Sequence, residues 1–166
     1  MAIVYLSLGS NIGDRVAYIQ QAVKLLQENP DFKLVRSSTL YETEPWGNKR
    51  QNWFINAVIE AKTKLSASEL LKFCLEIENK LGRVREGVPH WGERAIDIDI
   101  LFYDNEIINT SELIIPHKFL HERAFVLVPL LELIPEFKHP IFNKTVEELY
   151  EELEEPEDVF LYGTTI

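Results

Sequence analysis

The sequence is poor in the features that would point to a secreted, membrane or nucleic-acid-binding protein. Its 166 residues include one cysteine, Cys74, so no disulfide can form within the chain, and we expect a cytoplasmic protein. No apolar run approaches the roughly 18 residues that a membrane-spanning helix needs, and residues 1–5 lack the basic start of a signal peptide. Acidic residues outnumber basic ones by 27 to 17, and the resulting net charge of −10 argues against a nucleic-acid partner.

What the chain contains is the composition of an ordinary globular protein. Hydrophobic residues make up 46% and charged residues 27%, and the length suits a single domain over residues 1–166. Eight acids and no base lie within residues 147–158, which we predict to form a solvated helix opened by a capping box at Thr145 and Glu148. The rest of the chain is therefore close to neutral, and the stretch 80–94 is locally basic, so an anionic substrate could bind there.

Hydrophobic periodicity predicts the element order β-α-β-β-α-β. The predicted strands are residues 3–10, 32–41, 53–62 and about 94–103, and the predicted helices are 16–26 and 66–81, the second opened by a capping box at Ser66 and Glu69. This order is typical of a ferredoxin-like α+β fold, in which helices pack on a mainly antiparallel sheet. We interpret residues 9–14 as a structural turn, and expect a short strand at 113–115 and a helix at 122–131.

Two aspartates, Asp97 and Asp99, lie two residues apart in the last of these strands. Side chains at that spacing share one face of a strand, so the isoleucines between and beside them fill the other face. Paired carboxylates in an apolar strand are unfavourable unless a cation meets them, and Mg²⁺ is commonly held by one or two carboxylates together with substrate phosphates. A solvated strand face is the alternative.

Basic and aromatic residues surround this strand in the sequence. Arg83, Arg85 and Arg94 could grip a polyphosphate, although an arginine after a helix also favours the helix dipole. Trp46 lies in a predicted loop at 43–52, Trp53 and Phe54 follow it, and Asn56 shares a strand face with Phe54. This combination suits a flat, hydrogen-bonding heterocycle as well as an ordinary core.

Taken in order, these pieces resemble the 6-hydroxymethyl-7,8-dihydropterin pyrophosphokinases of folate biosynthesis. The segment Trp-Gly-Glu-Arg-Ala-Ile-Asp-Ile-Asp at residues 91–99 is similar to the family signature. The resemblance covers about the first four-fifths of the chain. Its other pieces are residues 8–11, 41–45, 56–57, 82–85, 116–117 and 123–125.

The resemblance implies an enzyme that moves the β,γ-diphosphoryl group of ATP to the pterin hydroxymethyl group and releases AMP. It implies two Mg²⁺ ions on Asp97 and Asp99. The implied catalytic residues are Arg83, Arg85, Arg94, Asp97 and Asp99. The implied ATP contacts are Glu78, Arg83, Arg85, Trp91, Arg94, Ile100, His117 and Arg123. The implied pterin contacts are Thr43, Glu44, Pro45, Trp46, Phe54, Asn56, Asp97 and Phe125.

The sequence departs from the family pattern at two of these contact positions, Trp46 and Phe54. It also departs from it at Leu75, Glu112 and Ile114, where the family's glutamine, arginine and threonine can contact the nucleotide. We expect a monomer whose partners are small-molecule substrates. Two other classes stay open: another two-metal nucleotidyl or cyclase-type enzyme, which should form pyrophosphate, and a non-catalytic binding module, whose nucleotide binding should not depend on Mg²⁺.

Overall fold

A six-stranded sheet with helices on both faces forms the framework of this computed structural model, which describes residues 1–47, 49–82, 95–163 and 166. The first part of the chain gives β1 (Ala2–Ser10), α1 (Arg15–Gln27), β2 (Phe32–Ser37), β3 (Leu40–Thr43), β4 (Phe54–Thr63), α2 (Ala67–Gly82) and β5 (Asp97–Tyr103). The second part gives β6 (Ile108–Asn109), β7 (Ile114–Ile115), a 3₁₀ turn (Leu120–Glu122), α3 (Ala124–Leu133), α4 (Val146–Glu151) and β8 (Val159–Gly163).

The strand order is β5-β1-β4-β3-β8, and β2 also pairs with β4. The pairings found among the described residues are all antiparallel. The α+β class and the mainly antiparallel sheet predicted from the sequence are therefore confirmed.

Alternation along the strands sends side chains to two separate cores. From β1, Val4, Leu6 and Leu8 face α1 and α2, whereas Tyr5 faces α3. Cys74 lies in the α2 core at 1% exposure, and burial raises the pKa of its thiol.

Helices α3 and α4 cover only part of the second face of the sheet. Val126, Leu127 and Leu130 of α3 pack on Tyr5 and Phe102. Beyond the start of α3, the same face carries mostly polar side chains from β1, β4 and β5. This uncovered end of the sheet is where the candidate site lies.

Two predicted boundaries were wrong in the first half of the chain. The predicted strand 32–41 is two strands, β2 and β3. Between them the Ser38 hydroxyl oxygen accepts the backbone N–H of Val58 at 2.9 Å and interrupts the strand pairing. The predicted turn at 9–14 begins later, because Gly9 and Ser10 still pair with Asn56 and Ile55 in β1.

The predicted extent of the acidic helix, residues 147–158, was also wrong. The Thr145–Glu148 capping box is present, but the helix ends at Glu151. Acidic side chains three and four apart repel one another, and Pro156 cannot continue a helix. The chain instead becomes extended and adds β8 to the edge of β3. Within the described ranges, no helix is long and apolar enough to cross a membrane.

Candidate active site

A cavity of about 220 Å³ opens at the uncovered end of the sheet, beside the start of α3. Strands β1, β4 and β5 form its floor, and the loop after β3 and the first residues of α3 form its walls. Its lining residues are Ser7, Gly9, Glu44, Trp46, Gln51, Phe54, Asn56, Asp97, Asp99, Arg123 and Phe125.

Asp97 and Asp99 present their carboxylates together on this floor. Strand pairing sets Asp97 opposite Gly9 and Asp99 opposite Ser7, and the Asp99 side chain is 42% exposed. The intervening Ile98 is buried on the other face, and its backbone N–H donates to Glu78 Oε2 at 2.9 Å, which ties the strand to α2. The shared face predicted for the two aspartates is confirmed.

The donor chemistry of this pair fits Mg²⁺, which takes oxygen ligands and needs only one or two carboxylates when substrate phosphates supply the rest. In the part of the chain that the structure describes, no group of three or more His, Cys, Asp and Glu side chains could hold a metal. A metal held here would therefore depend on ligands beyond the described side chains.

Arg123 lies close to Asp99, with Nη1 4.0 Å from Asp99 Oδ2. Its guanidinium lies 4.7 Å from the ring centre of Trp46, 5.3 Å from that of Phe119 and 5.5 Å from that of Phe125. Burial lowers the pKa of Arg123, and the surrounding carboxylates, Asp99 foremost, oppose that shift, so the side chain stays a cation. Its buried Nε has no hydrogen-bond partner among the described residues and could donate to an anionic ligand.

His117 approaches Asp99 from the other side, with Nε2 3.9 Å from Asp99 Oδ2. Its Nδ1 accepts the backbone N–H of Phe119 at 3.2 Å, so the neutral ring carries its proton on Nε2. Burial lowers the pKa of His117, the charge of Arg123 lowers it further, and Asp99 opposes both. At neutral pH His117 is therefore a neutral ring whose Nε2–H lies near Asp99.

The opposite half of the cavity is built from an amide and aromatic rings. Asn56 is 4% exposed, and its Nδ2 donates to the buried Thr43 hydroxyl at 2.6 Å. Gly9 lies opposite Asn56 in the sheet, and a Cβ at Gly9 would overlap Asn56 Oδ1. The side chains of Phe54 and Phe125 also line the cavity, so it can receive a flat, polar-edged ring.

A second cavity, of about 350 Å³, lies on the other side of Asp99 and Arg123. Ile100, His117 and Phe119 line it, with Glu112 and Ile114 at its outer part. Asp99 and Arg123 line both cavities.

The structure brings most of the predicted site residues together. Six of the predicted pterin contacts line the first cavity: Glu44, Trp46, Phe54, Asn56, Asp97 and Phe125. Thr43 lies behind Asn56, and Pro45 is buried next to Trp46. Of the predicted ATP contacts, Ile100, His117 and Arg123 line the second cavity, and Glu78 supports the backbone of β5. Arg83, Arg85, Trp91 and Arg94 lie outside the described residues.

Sequence reasoning missed Ser7, Gly9, Gln51 and Phe119, which also line the two cavities. Ser7 and Gly9 alternate with the apolar residues of β1, but their pairing with the two aspartates depends on a register that the local sequence does not contain. No local signal singles out Gln51 or Phe119.

Two cavities that meet at a carboxylate and an arginine have the shape and charge to hold two small molecules side by side, one of them anionic, which suits a group-transfer enzyme. The family model for 7,8-dihydro-6-hydroxymethylpterin-pyrophosphokinase (HPPK) matches residues 5–135. The chain belongs to this family.

Relatives called 2-amino-4-hydroxy-6-hydroxymethyldihydropteridine pyrophosphokinase align over most of the chain. The protein of Methylorubrum extorquens is 46% identical over 154 residues, which are 93% of this chain and 95% of the relative. That of Aquifex aeolicus is 45% identical over 89% of this chain and 90% of its own length. That of Bacillus subtilis is 47% identical over 79% of this chain and 77% of its own length.

Solved structures of similar fold include HPPK-DHPS of Plasmodium falciparum. The wild-type chain with SDX-DHP matches with a TM-score of 0.68 and 20% identity, over 92% of this chain and 43% of the solved one. The A437G chain with STZ-DHP matches with a TM-score of 0.70 and 19% identity, over 91% and 45%. These likenesses show the fold, and this chain spans less than half of each solved chain.

Proposed function

We propose that this chain transfers the β,γ-diphosphoryl group of ATP to the hydroxymethyl oxygen of 6-hydroxymethyl-7,8-dihydropterin. The products are the pterin diphosphate and AMP, and the reaction is a step of folate biosynthesis. Membership of the HPPK family and the names of the relatives support this reaction. The observation that supports this reaction at this site is that Asp99 and Arg123 line both cavities, so two substrates would meet at these residues.

The first cavity is the proposed pterin site. The amide nitrogen of Asn56 is engaged with Thr43, which leaves the amide oxygen to accept an N–H from the heterocycle. Phe54, Phe125 and Trp46 supply ring faces for stacking. The hydroxymethyl arm would then extend towards Asp97 and Asp99.

The second cavity is the proposed nucleotide side. His117 and Arg123 direct donors at its junction with the first cavity, where the phosphates would lie. Arg83, Arg85, Trp91 and Arg94 remain proposed ATP contacts on the strength of the family resemblance. Glu78 is proposed to act on this side while it holds the β5 backbone.

Asp97 and Asp99 are the residues proposed to hold two Mg²⁺ ions. When bound, these ions would neutralise the negative charge of the phosphates. The two carboxylates hold their common direction because β5 is paired with β1 on one side and tied to Glu78 on the other.

In the proposed reaction the pterin hydroxyl oxygen bonds to the β-phosphorus as the bond from that phosphorus to the α,β-bridging oxygen breaks. The bridging oxygen leaves with AMP, and the hydroxyl proton is released to solvent. Phosphoryl transfer depends mainly on positioning and charge stabilisation, so a strong protein base is not required. Arg123 and the Nε2–H of His117 would stabilise charge on the transferring group.

Incubation with ATP, MgCl₂ and 6-hydroxymethyl-7,8-dihydropterin tests this function. AMP should form in an amount equal to the pterin consumed, and omission of the pterin should stop it. Release of pyrophosphate from ATP would instead indicate a nucleotidyl or cyclase-type enzyme. Nucleotide binding without turnover and without dependence on Mg²⁺ would indicate a binding module.

A further inference from the structure

The chain that follows α4 returns to the first cavity and contacts two of its walls. Glu157 Oε1 accepts the backbone N–H of Phe125 at 2.8 Å, at the start of α3. The carbonyl of the next residue, Asp158, accepts the backbone N–H of Glu44 at 2.9 Å, in the loop after β3. Phe125 and Glu44 both line the cavity, so two consecutive residues hold its two sides.

Strand β8 fixes this segment in place. Val159 pairs with Thr43, whose hydroxyl in turn accepts the Asn56 amide. The Phe160 ring stacks on Trp53, with ring centres 6.0 Å apart and planes 13° from parallel. Glu157 therefore lies two residues before an anchored strand, and the placement of its backbone does not depend on its own side chain.

The N–H that Glu157 accepts needs an outside partner. The first N–H groups of a helix have no intrahelical acceptor. Arg123, at the cap position of α3, makes no side-chain cap bond. Glu157 supplies the missing acceptor from 32 residues away and places a negative charge at the helix start, which is electrostatically favourable.

We propose that Glu157 is a positioning residue for the pterin substrate. By accepting the backbone N–H of Phe125, its carboxylate sets the position of the Phe125 ring, which lines the proposed pterin site. The inference rests on the proposed function, and Glu157 lies beyond residues 5–135, which the family model matches.

The carboxylate of Glu157 also contributes to keeping Arg123 charged against burial, after the larger contribution of Asp99. Charge and hydrogen bonding can be separated by substitution. Glu157→Gln keeps an oxygen acceptor and removes the charge, whereas Glu157→Ala removes both. Asp158→Ala removes one charge from the neighbouring exposed side chain and leaves the carbonyl that bonds Glu44, which makes it the matched control.

The experiment measures kcat and the KM of each substrate, together with the pterin dissociation constant by fluorescence titration. Loss of a cap-type bond predicts that Glu157→Ala raises the pterin KM and dissociation constant about five- to tenfold. The kcat and the KM of ATP should change little. Glu157→Gln should restore pterin affinity, and Asp158→Ala should match the wild type.

Three results would overturn the inference: Glu157→Ala binding pterin like Asp158→Ala, Glu157→Gln being as impaired as Glu157→Ala, or Glu157→Ala lowering kcat and both affinities together with the melting temperature. A wild-type protein that binds pterin but forms no AMP would refute the proposed reaction instead. The dissociation constants of the variants would still decide the role of Glu157.

Discussion

Gly9 shapes the cavity because it has no side chain. It lies on the same face of β1 as Ser7, directly opposite Asn56, and there is no room for a Cβ between them. The position of the Asn56 amide, which we assign as the contact with the polar edge of the pterin, therefore depends on Gly9 in the neighbouring strand.

Gly9→Ala should weaken pterin binding about tenfold or more, because Asn56 must turn away and lose its bond to Thr43. Fluorescence titration with the pterin measures this change. Gly163→Ala is the matched control, since Gly163 ends β8 and a Cβ there meets open space. Wild-type affinity in Gly9→Ala would show that Asn56 does not contact the pterin.

The aspartates and the glycine differ in how far local sequence predicts them. Asp97 and Asp99 were predicted to share a face because a strand alternates with period two, which is a purely local rule. The role of Gly9 depends on its pairing with residues 47 and 88 positions further along the chain, Asn56 and Asp97. That register is set by long-range packing, so Gly9 reads locally as part of a turn.

At the scale of elements, local signals predicted where helices begin. The Ser66 capping box is confirmed: the Ser66 N–H donates to Glu69 Oε1 at 3.0 Å, and the Glu69 N–H donates to Ser66 Oγ at 3.2 Å. Such bonds form between residues of a single helical turn, so the local sequence is enough to predict where the helix begins.

Strand β8 was not predicted, although Val159, Phe160 and Tyr162 are residue types that favour strands. What the local sequence does not contain is the partner with which the strand pairs. The strand forms because β3 offers an edge with which it pairs and because the Phe160 ring stacks on the Trp53 ring. Both partners are more than a hundred residues away in the sequence.

The turn that leads into α4 contains a buried histidine that should make stability depend on pH. His139 is 2% exposed, and its Nδ1 accepts the backbone N–H groups of Ile141 and Phe142 at 3.1 and 3.3 Å. Burial, assisted by nearby His121, lowers the pKa of His139 from 6.5 to about 4. The unfolded chain therefore binds a proton between these two values while the folded chain does not, so stability falls as the pH falls through this window.

Replacing His139 by Asn keeps a side-chain acceptor and removes the titrating group. Relative to this variant, the wild type should lose about 2 kcal/mol of unfolding free energy between pH 7 and pH 5. Urea unfolding at the two pH values measures the difference, in which the contributions of the other titrating groups cancel. If the unfolding free energies of the two proteins changed equally between the two pH values, that result would contradict the buried, neutral state of His139.

At the scale of the whole molecule, the sheet explains where the site lies. Helices α1 and α2 pack on one face, and α3 covers the other only as far as its own start, so the ends of β1, β4 and β5 stay open. The split βαβ order was predictable, because it follows from alternating periodicities. The second helical layer was not, because packing of α3 on the sheet leaves no local sequence signal. A single domain over residues 1–166 and a monomeric state remain predictions.

The central claim is that Asp97 and Asp99 align the diphosphoryl group of ATP with a pterin alcohol. Its most direct test is the rate of pterin-dependent AMP formation by Asp97→Asn and Asp99→Asn, two substitutions that keep side-chain volume and remove charge. Asp104→Asn is the matched control, because Asp104 is exposed just beyond the end of β5.

Each site variant should form AMP about a thousandfold more slowly than the wild type, with unchanged circular dichroism and melting temperature. The Asp104→Asn rate should equal that of the wild type. Near-normal AMP formation by either Asp97→Asn or Asp99→Asn would contradict the account.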